Sequence, residues 1–390
     1  MKYDFDRIVD RENTGSIKYD LREKYSGRNI IPMWVADMDF KSPAGIIGAL
    51  VERSEHGIFG YTRAGDSYKS AVIGWMKRRH GWDIDEEWIT TTPGIVTALG
   101  IAIRAFSEPG DKIVIQPPVY HPFKKMITVN KRVPVENRLI CKDGKYSMDF
   151  DGLEGILRDG ASMVVLCSPH NPVGRVWRKE ELKQFADLCL EYDTLIISDE
   201  IHSDLLMPGY EHTVIAGMSD ETAEKTVTFT AASKTFNLAG LACSNVLISN
   251  EEIRMAFRKE IERLSIGMPN IFGLVATEAG YTKGEKWLEE LCLYIKANYD
   301  FLKGFLEKKL PEIEAAPLEG TYLAWLDFNH FSVSDEMLTD ILIKEAGVWL
   351  DNGPQFGKGG EGFQRLNIAC PLEILEKALY RIEKAFRALR

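Results

Sequence analysis

The sequence predicts an α/β fold, with a mostly parallel central sheet in a large domain and a smaller α+β domain beside it. Three observations lead there. Between about residues 85 and 250, short β-branched runs alternate with segments of helical period, as strands joined by crossover helices do. Several of these runs are apolar on both faces, as in a buried parallel sheet. After about residue 250 the style shifts to long charged helices, a short strand-rich stretch near TYLAWLDF and a last amphipathic helix, PLEILEKALYRIEKAFRAL. The chain has 390 residues, and single cores stop growing near roughly 250 to 300, so two domains are expected.

Taken in order, the expected strands are Lys112 to Gln116, Ser162 to Cys167, Thr194 to Ser198, Thr226 to Thr230 and Asn245 to Ser249. Pro93-Gly94 stops one element, and Ile95 onward reads as an apolar helix. In KEELKQFADLCLEY, Leu182, Phe185, Cys189 and Tyr192 recur at helical spacing, which predicts an amphipathic helix between two strands. EEIRMAFRKEIERL and EKWLEELCLYIKANYDFLKGFLEKKL are the long charged helices.

Composition excludes several classes. With 48 Lys+Arg against 58 Asp+Glu the net charge is −10, so phosphate backbones repel the chain and nucleic-acid binding is not expected. The N-terminus is charged and lacks the apolar core of a secretory signal. Stretches such as SMVVLC and TLIIS are far shorter than the roughly 18 residues of a membrane span. Six cysteines are scattered without a CxxC pair, against a zinc site or a disulfide framework. A cytoplasmic setting is expected. No H-x-x-x-H or H-E-x-x-H spacing supports a metal. GKGGEG at 357 to 362 fits G-x-G-x-x-G literally, but it precedes a strand instead of opening a helix after one.

The chemistry gathers at strand ends. The start of the helix at Ile95 offers unpaired amides and a positive dipole end, an anion site. Asn171, Asp199 and Lys234 each stand just after an expected strand, where open α/β sheets place their ligands. Each alone would commonly be a cap or a solvated charge. Together, a lysine near a phosphate-binding helix start and a carboxylate able to pair with a pyridinium nitrogen are what pyridoxal phosphate requires. Lys234 would form the Schiff base, which needs an amine partly deprotonated despite an ordinary pKa of about 10.4. Asp199 would keep the ring nitrogen protonated, and Asn171 would donate to the ring oxygen O3′.

At this point PMWVADMDF (32 to 40), HGIFGYT (56 to 62), PPVYHPF (117 to 123), CSPHNPVGRVW (167 to 177), SDEIHSDL (198 to 205), SKTFNLAGL (233 to 241) and FQRLNIACP (363 to 371) carry a resemblance. The chain resembles fold-type I pyridoxal-phosphate enzymes of the aminotransferase class I/II superfamily, and within it the MalY/PatB branch of cystathionine β-lyases and carbon–sulfur lyases. The resemblance implies a large cofactor-binding domain at 50–285 and a discontinuous small domain at 1–49 and 286–390. It implies that Tyr120 stacks on the cofactor ring, that Gly94, Ile95, Val96 and Ser233 serve the phosphate, and that Arg365 clamps the substrate carboxylate. Tyr61 would reach the phosphate of a neighbouring subunit, making the active form a homodimer. Trp34 and Ala36 would line the substrate mouth, with Thr321 and Tyr322 as further pocket residues.

Two departures from the wider aminotransferase pattern stand out. Gly240 is followed by Leu241, Ala242 and Cys243, with no phosphate-binding arginine, and His202 stands where a tyrosine would contact O3′. Both agree with the MalY/PatB branch. The implied reaction is β-elimination from a sulfur-substituted cysteine, Lys234 removing the Cα proton to form a carbanion that expels a thiolate. An aminotransferase would use the same residues, because the carbanion is the shared difficulty. A regulatory role through protein binding is the reading from another class, and the intact lysine, aspartate and arginine speak against it. The loops GTYLAWLDF and DNGPQFG carry no decisive charge, so the substrate side chain stays open among cystathionine, cystine and cysteine S-conjugates.

Overall fold

The computed structural model describes residues 3–25 and 29–388. A seven-stranded sheet forms from β1 (Ile89–Thr92), β2 (Lys112–Ile115), β3 (Val133–Glu136), β4 (Met163–Cys167), β5 (Leu195–Asp199), β6 (Thr226–Thr230) and β7 (Ser244–Leu247). Its order is β1-β7-β6-β5-β4-β2-β3. Only β7 runs antiparallel to its neighbours, and the rest are parallel.

All five strands expected from sequence are present, with β1 and β3 in addition. Neither of these reads as a buried strand. β1 is Thr-rich, and β3 is an edge strand containing Pro134, with no residue fully buried. Proline is tolerated there because an edge strand leaves one side unpaired.

Both faces of the sheet are covered, as the continuous apolar runs require. On one face Met163, Val165 and Ile197 pack under α1 (Ile95–Phe106) and Phe257; on the other Val164, Leu166 and Ile196 meet Leu182, Phe185 and Cys189 of the helix Lys179–Glu191. The period-2 alternation of the strands thus separates two apolar layers.

Beyond residue 250 come the helices Glu251–Arg263, Ile271–Lys283 and Glu285–Lys309, then an antiparallel sheet. Its strands are β8 (Glu314–Ala315), β9 (Leu323–Asp327), β10 (Asp351–Asn352) and β11 (Phe363–Asn367), in the order β8-β9-β11-β10. The helix Leu372–Arg387 closes the chain. The glycine run before β11 is a packing device. A Cβ on Gly353 would lie 1.9 Å from the Gly360 carbonyl oxygen, so only glycine lets these backbones touch. Gly357, Gly359 and Gly362 all take positive φ, which glycine adopts without steric cost. Among the described residues no helix is long and apolar enough to cross a membrane.

Candidate active site

A cavity of about 200 Å³ opens at the carboxyl ends of the parallel strands. A single water needs only roughly 10 to 15 Å³ on the same measure, so the space suits a small organic molecule. Its walls explain why these residues converge. α1 starts there, presenting Gly94, Ile95, Val96 and Thr97; β4 ends in Cys167, with Asn171 just beyond; β5 ends in Asp199, followed by Ile201 and His202. Cys167 and Asp199 are register partners on adjacent parallel strands. Tyr120, from the loop after β2, and Ser233 and Lys234, on α2 (Ala232–Thr235) after β6, complete that side.

Lys234 is held from two directions. Its Nζ donates to the Ala36 carbonyl at 2.6 Å. The next residue, Thr235, donates to Asp204 Oδ2 at 2.7 Å, and Asp204 also accepts from Trp75 Nε1 and pairs with His80 Nε2. Ala36, on the segment 34–39, lines the cavity. Asn367 Nδ2 donates to the carbonyls of Val35 and Asp37. Lys18 and Arg11 pair with Asp39 at 2.8 and 2.7 Å, and Lys18 and Asp39 are both buried. Removing one partner from such a buried pair typically costs about 3 to 5 kcal/mol, so the segment is firmly anchored.

Burial tunes the titrating groups. The Lys234 ammonium loses solvation and its pKa falls to about 8; Asp37 and Asp199 oppose the shift and Arg365 adds to it. Burial pushes Asp199 up to about 7, with neighbouring Glu200 raising it further and the Ile201 amide and Lys234 pulling it back. His202 drops to about 3 through burial and the nearby Lys234 and Arg365, so its imidazole is neutral. Its Nδ1 is buried without a hydrogen-bond partner.

Arg365 does not line the cavity wall but stands just behind Asn171, donating from Nη1 to Asn171 Oδ1 at 2.9 Å. Nη2 donates to the Trp34 carbonyl at 2.9 Å and to Asp351 Oδ2 at 2.6 Å. Its Nε is buried without a partner. Here the expectation that DNGPQFG carries no decisive charge is corrected. Asp351 belongs to that loop, and antiparallel pairing of β10 with β11 places it directly opposite Arg365. Sequence spacing gives no hint of it, because the contact depends on the register of two short strands.

The other expected positions fall as follows. Ala36 lines the cavity. Trp34 does not; its ring stacks on Trp349 with centroids 4.3 Å apart. Tyr322 is buried behind the wall, its hydroxyl donating to the Ala36 carbonyl at 2.8 Å. Tyr61 is 99% exposed and, within one chain, does not meet the cavity. Sequence reasoning missed Cys167, Thr97, Ala231, Ala239 and Ser244 as wall residues. Small neutral residues carry no chemical signature, although their positions beside strand ends could have flagged them.

The arrangement fits pyridoxal phosphate. The first amides of α1 have no intrahelical acceptor, and they face a cavity whose only lysine or arginine among the described residues is Lys234. An anion would therefore be held by amides, by the hydroxyls of Thr97 and Ser233, and by the helix dipole. A half-buried amine of lowered pKa, a buried carboxylate, the unpartnered His202 Nδ1 and the unpartnered N–H of Arg365 Nε supply the rest. Among the described residues no arginine lines the cavity beside Ala242 and Cys243.

Comparison with known proteins agrees. The family model described as aminotransferase class I and II matches residues 29–382. The chain is 45% identical to cystathionine beta-lyase PatB of Bacillus subtilis, over 98% of this chain and 99% of that protein. It is 32% identical to protein MalY of Escherichia coli over the full length of both. Cystalysin from Treponema denticola, whose crystal structure contains pyridoxal 5′-phosphate, superposes with a TM-score of 0.97 at 42% identity, with each chain fully covered. A family match over most of its length, relatives of this identity and a shared architecture establish that the chain belongs to the aminotransferase class I and II family, in the branch of PatB and MalY.

Proposed function

We propose that the protein is a pyridoxal-phosphate-dependent carbon–sulfur β-lyase that cleaves cystathionine or related S-substituted cysteines to a thiol, pyruvate and ammonia. The observation that carries it is the half-buried Lys234 amine, lowered to about 8, lining the same cavity as Asp199. The names of the relatives support the lyase chemistry: PatB is a cystathionine beta-lyase. Free cysteines throughout suit work in a reducing cytoplasm.

When bound, pyridoxal 5′-phosphate supplies the electron sink that lets an amino acid lose its Cα proton and then its sulfur. The chain does the rest. Gly94, Ile95, Val96 and Ser233 would hold the phosphate, Tyr120 would cover the ring, and Asn171 and His202 would address O3′. Asp199 would keep a proton on the ring nitrogen. Lys234 would anchor the cofactor through its amine and would take the substrate Cα proton on Nζ. Arg365 orients the substrate carboxylate, and the segment 34–39, with Ala36 facing the cavity, limits water. The C–S electron pair departs on sulfur, and water then converts the three-carbon remainder to pyruvate and ammonia.

With cystathionine and no added keto acid, pyruvate is expected to accumulate over many turnovers while the cofactor absorbance stays steady. A single turnover relieved only by a keto acid would make the protein an aminotransferase. In keeping with its exposure, Tyr61 is proposed to serve the phosphate of a second copy, in a homodimer whose large domain spans 50–285 and whose small domain joins 1–49 to 286–390. Sedimentation should then give about twice the 44.1 kDa chain mass. An active species of single-chain mass would overturn the shared site.

A further inference from the structure

We infer that Asp351 is a built-in competitor for the carboxylate clamp, lowering the affinity of Arg365 for substrate and for keto-acid product alike. The inference rests on the reading of Arg365 as that clamp. The two side chains are 4% and 8% exposed and meet at 2.6 Å between Arg365 Nη2 and Asp351 Oδ2. Asp351 cannot simply swing aside. Its backbone is paired across from Arg365 in the small sheet, its Oδ1 accepts from Gln355 Nε2 at 3.2 Å, and the Gly353 to Gly360 contact closes the turn behind it.

The remaining donors of the guanidinium are divided. Nη1 is on Asn171 Oδ1, Nη2 also serves the Trp34 carbonyl, and Nε has no partner. An incoming carboxylate therefore approaches a guanidinium held in orientation, with Nε still unpaired, whose charge is already balanced. Water screens little in so buried a place, so the second carboxylate opposes the first. Orientation is kept while net attraction is reduced.

Such an arrangement has a use. Amino-acid substrate and pyruvate product carry the same carboxylate, and an unbalanced arginine would retain both. Asp351 acts on binding common to ground and transition states, so its signature lies in KM and product inhibition more than in the chemical step.

The test uses the cofactor-loaded enzyme carrying Asp351→Asn, which keeps the shape and an acceptor for Arg365. Propionate binding is measured by calorimetry, and pyruvate inhibition is measured by following thiol release. Both ligands are expected to bind about tenfold tighter than in the parent, with KM falling in step. Asp351→Ser provides the same measurement should the amide disturb Gln355. Unchanged or weaker propionate and pyruvate binding in both variants overturns the proposal. Arg365→Lys separates the underlying reading: if it leaves propionate affinity unaltered, Arg365 is not the clamp, whereas a large loss there with no gain from Asp351→Asn rejects the competitor role alone.

Discussion

Replacing Lys234 with alanine is expected to lower turnover by roughly 10⁴-fold or more, because in the proposed function one side chain provides both the covalent anchor and the Cα base. The protein should still fold. Lys234 sits on a four-residue helix whose neighbour Thr235 keeps its bond to Asp204, and removing a half-buried amine relieves desolvation. The sign of the pH effect follows from the lowered value. An amine with a folded pKa near 8 against an ordinary 10.5 contributes stability above the unfolded value that is lost as pH falls through about 8. The rate at which cofactor-free protein takes up pyridoxal phosphate should rise with pH and level off just above 8, tracking the neutral amine. Borohydride reduction and peptide mapping should label Lys234; label on another lysine, or uptake still climbing beyond pH 10, would count against the assignment.

Replacing Asp199 with asparagine is expected to reduce turnover by roughly 10² to 10³-fold, the scale of losing one preorganised electrostatic partner, with the cofactor still bound through the helix start. Asparagine has the shape of aspartate but cannot balance a protonated ring nitrogen. Stability gives an independent reading. The folded pKa of Asp199 is raised to about 7 from 3.8, so the folded protein binds more protons between those values. Its contribution is intact below about pH 4 and lost as pH rises through 7, up to about 4 kcal/mol at 1.4 kcal/mol per unit. A cationic ring nitrogen offsets that loss. Cofactor should therefore raise the melting temperature more at pH 8 than at pH 5 in the parent, and by a smaller margin in Asp199→Asn, where only the Lys234 amine still titrates in that range. An unaltered pH dependence in the variant would show that another group carries the effect.

Much of this site is legible in the chain. The strands at 163–167, 195–199 and 226–230 announce themselves by β-branched apolar runs, and the groups that follow them, Asn171, Asp199 and Lys234, fall at the cavity because parallel strands all end on one side of the sheet. Ile95 announces a helix start by the Pro93-Gly94 stop before it. The Thr-rich strand at 89–92 and the proline-bearing edge at 133–136 were hidden, since neither follows a buried-strand pattern.

What the sequence determined by itself is therefore the layer architecture and the titrating residues that gather at the cavity, because both depend on local periodicity and on side-chain type. The tertiary structure decided which charges meet. It seated Asp351 on Arg365 through the register of two short strands, put Lys234 on the carbonyl of Ala36 nearly two hundred residues away, and turned Trp34 onto Trp349 instead of into the cavity. The physical reason is that desolvation and charge pairing depend on distance in space, and only the folded chain brings segments so far apart in sequence within a few ångströms.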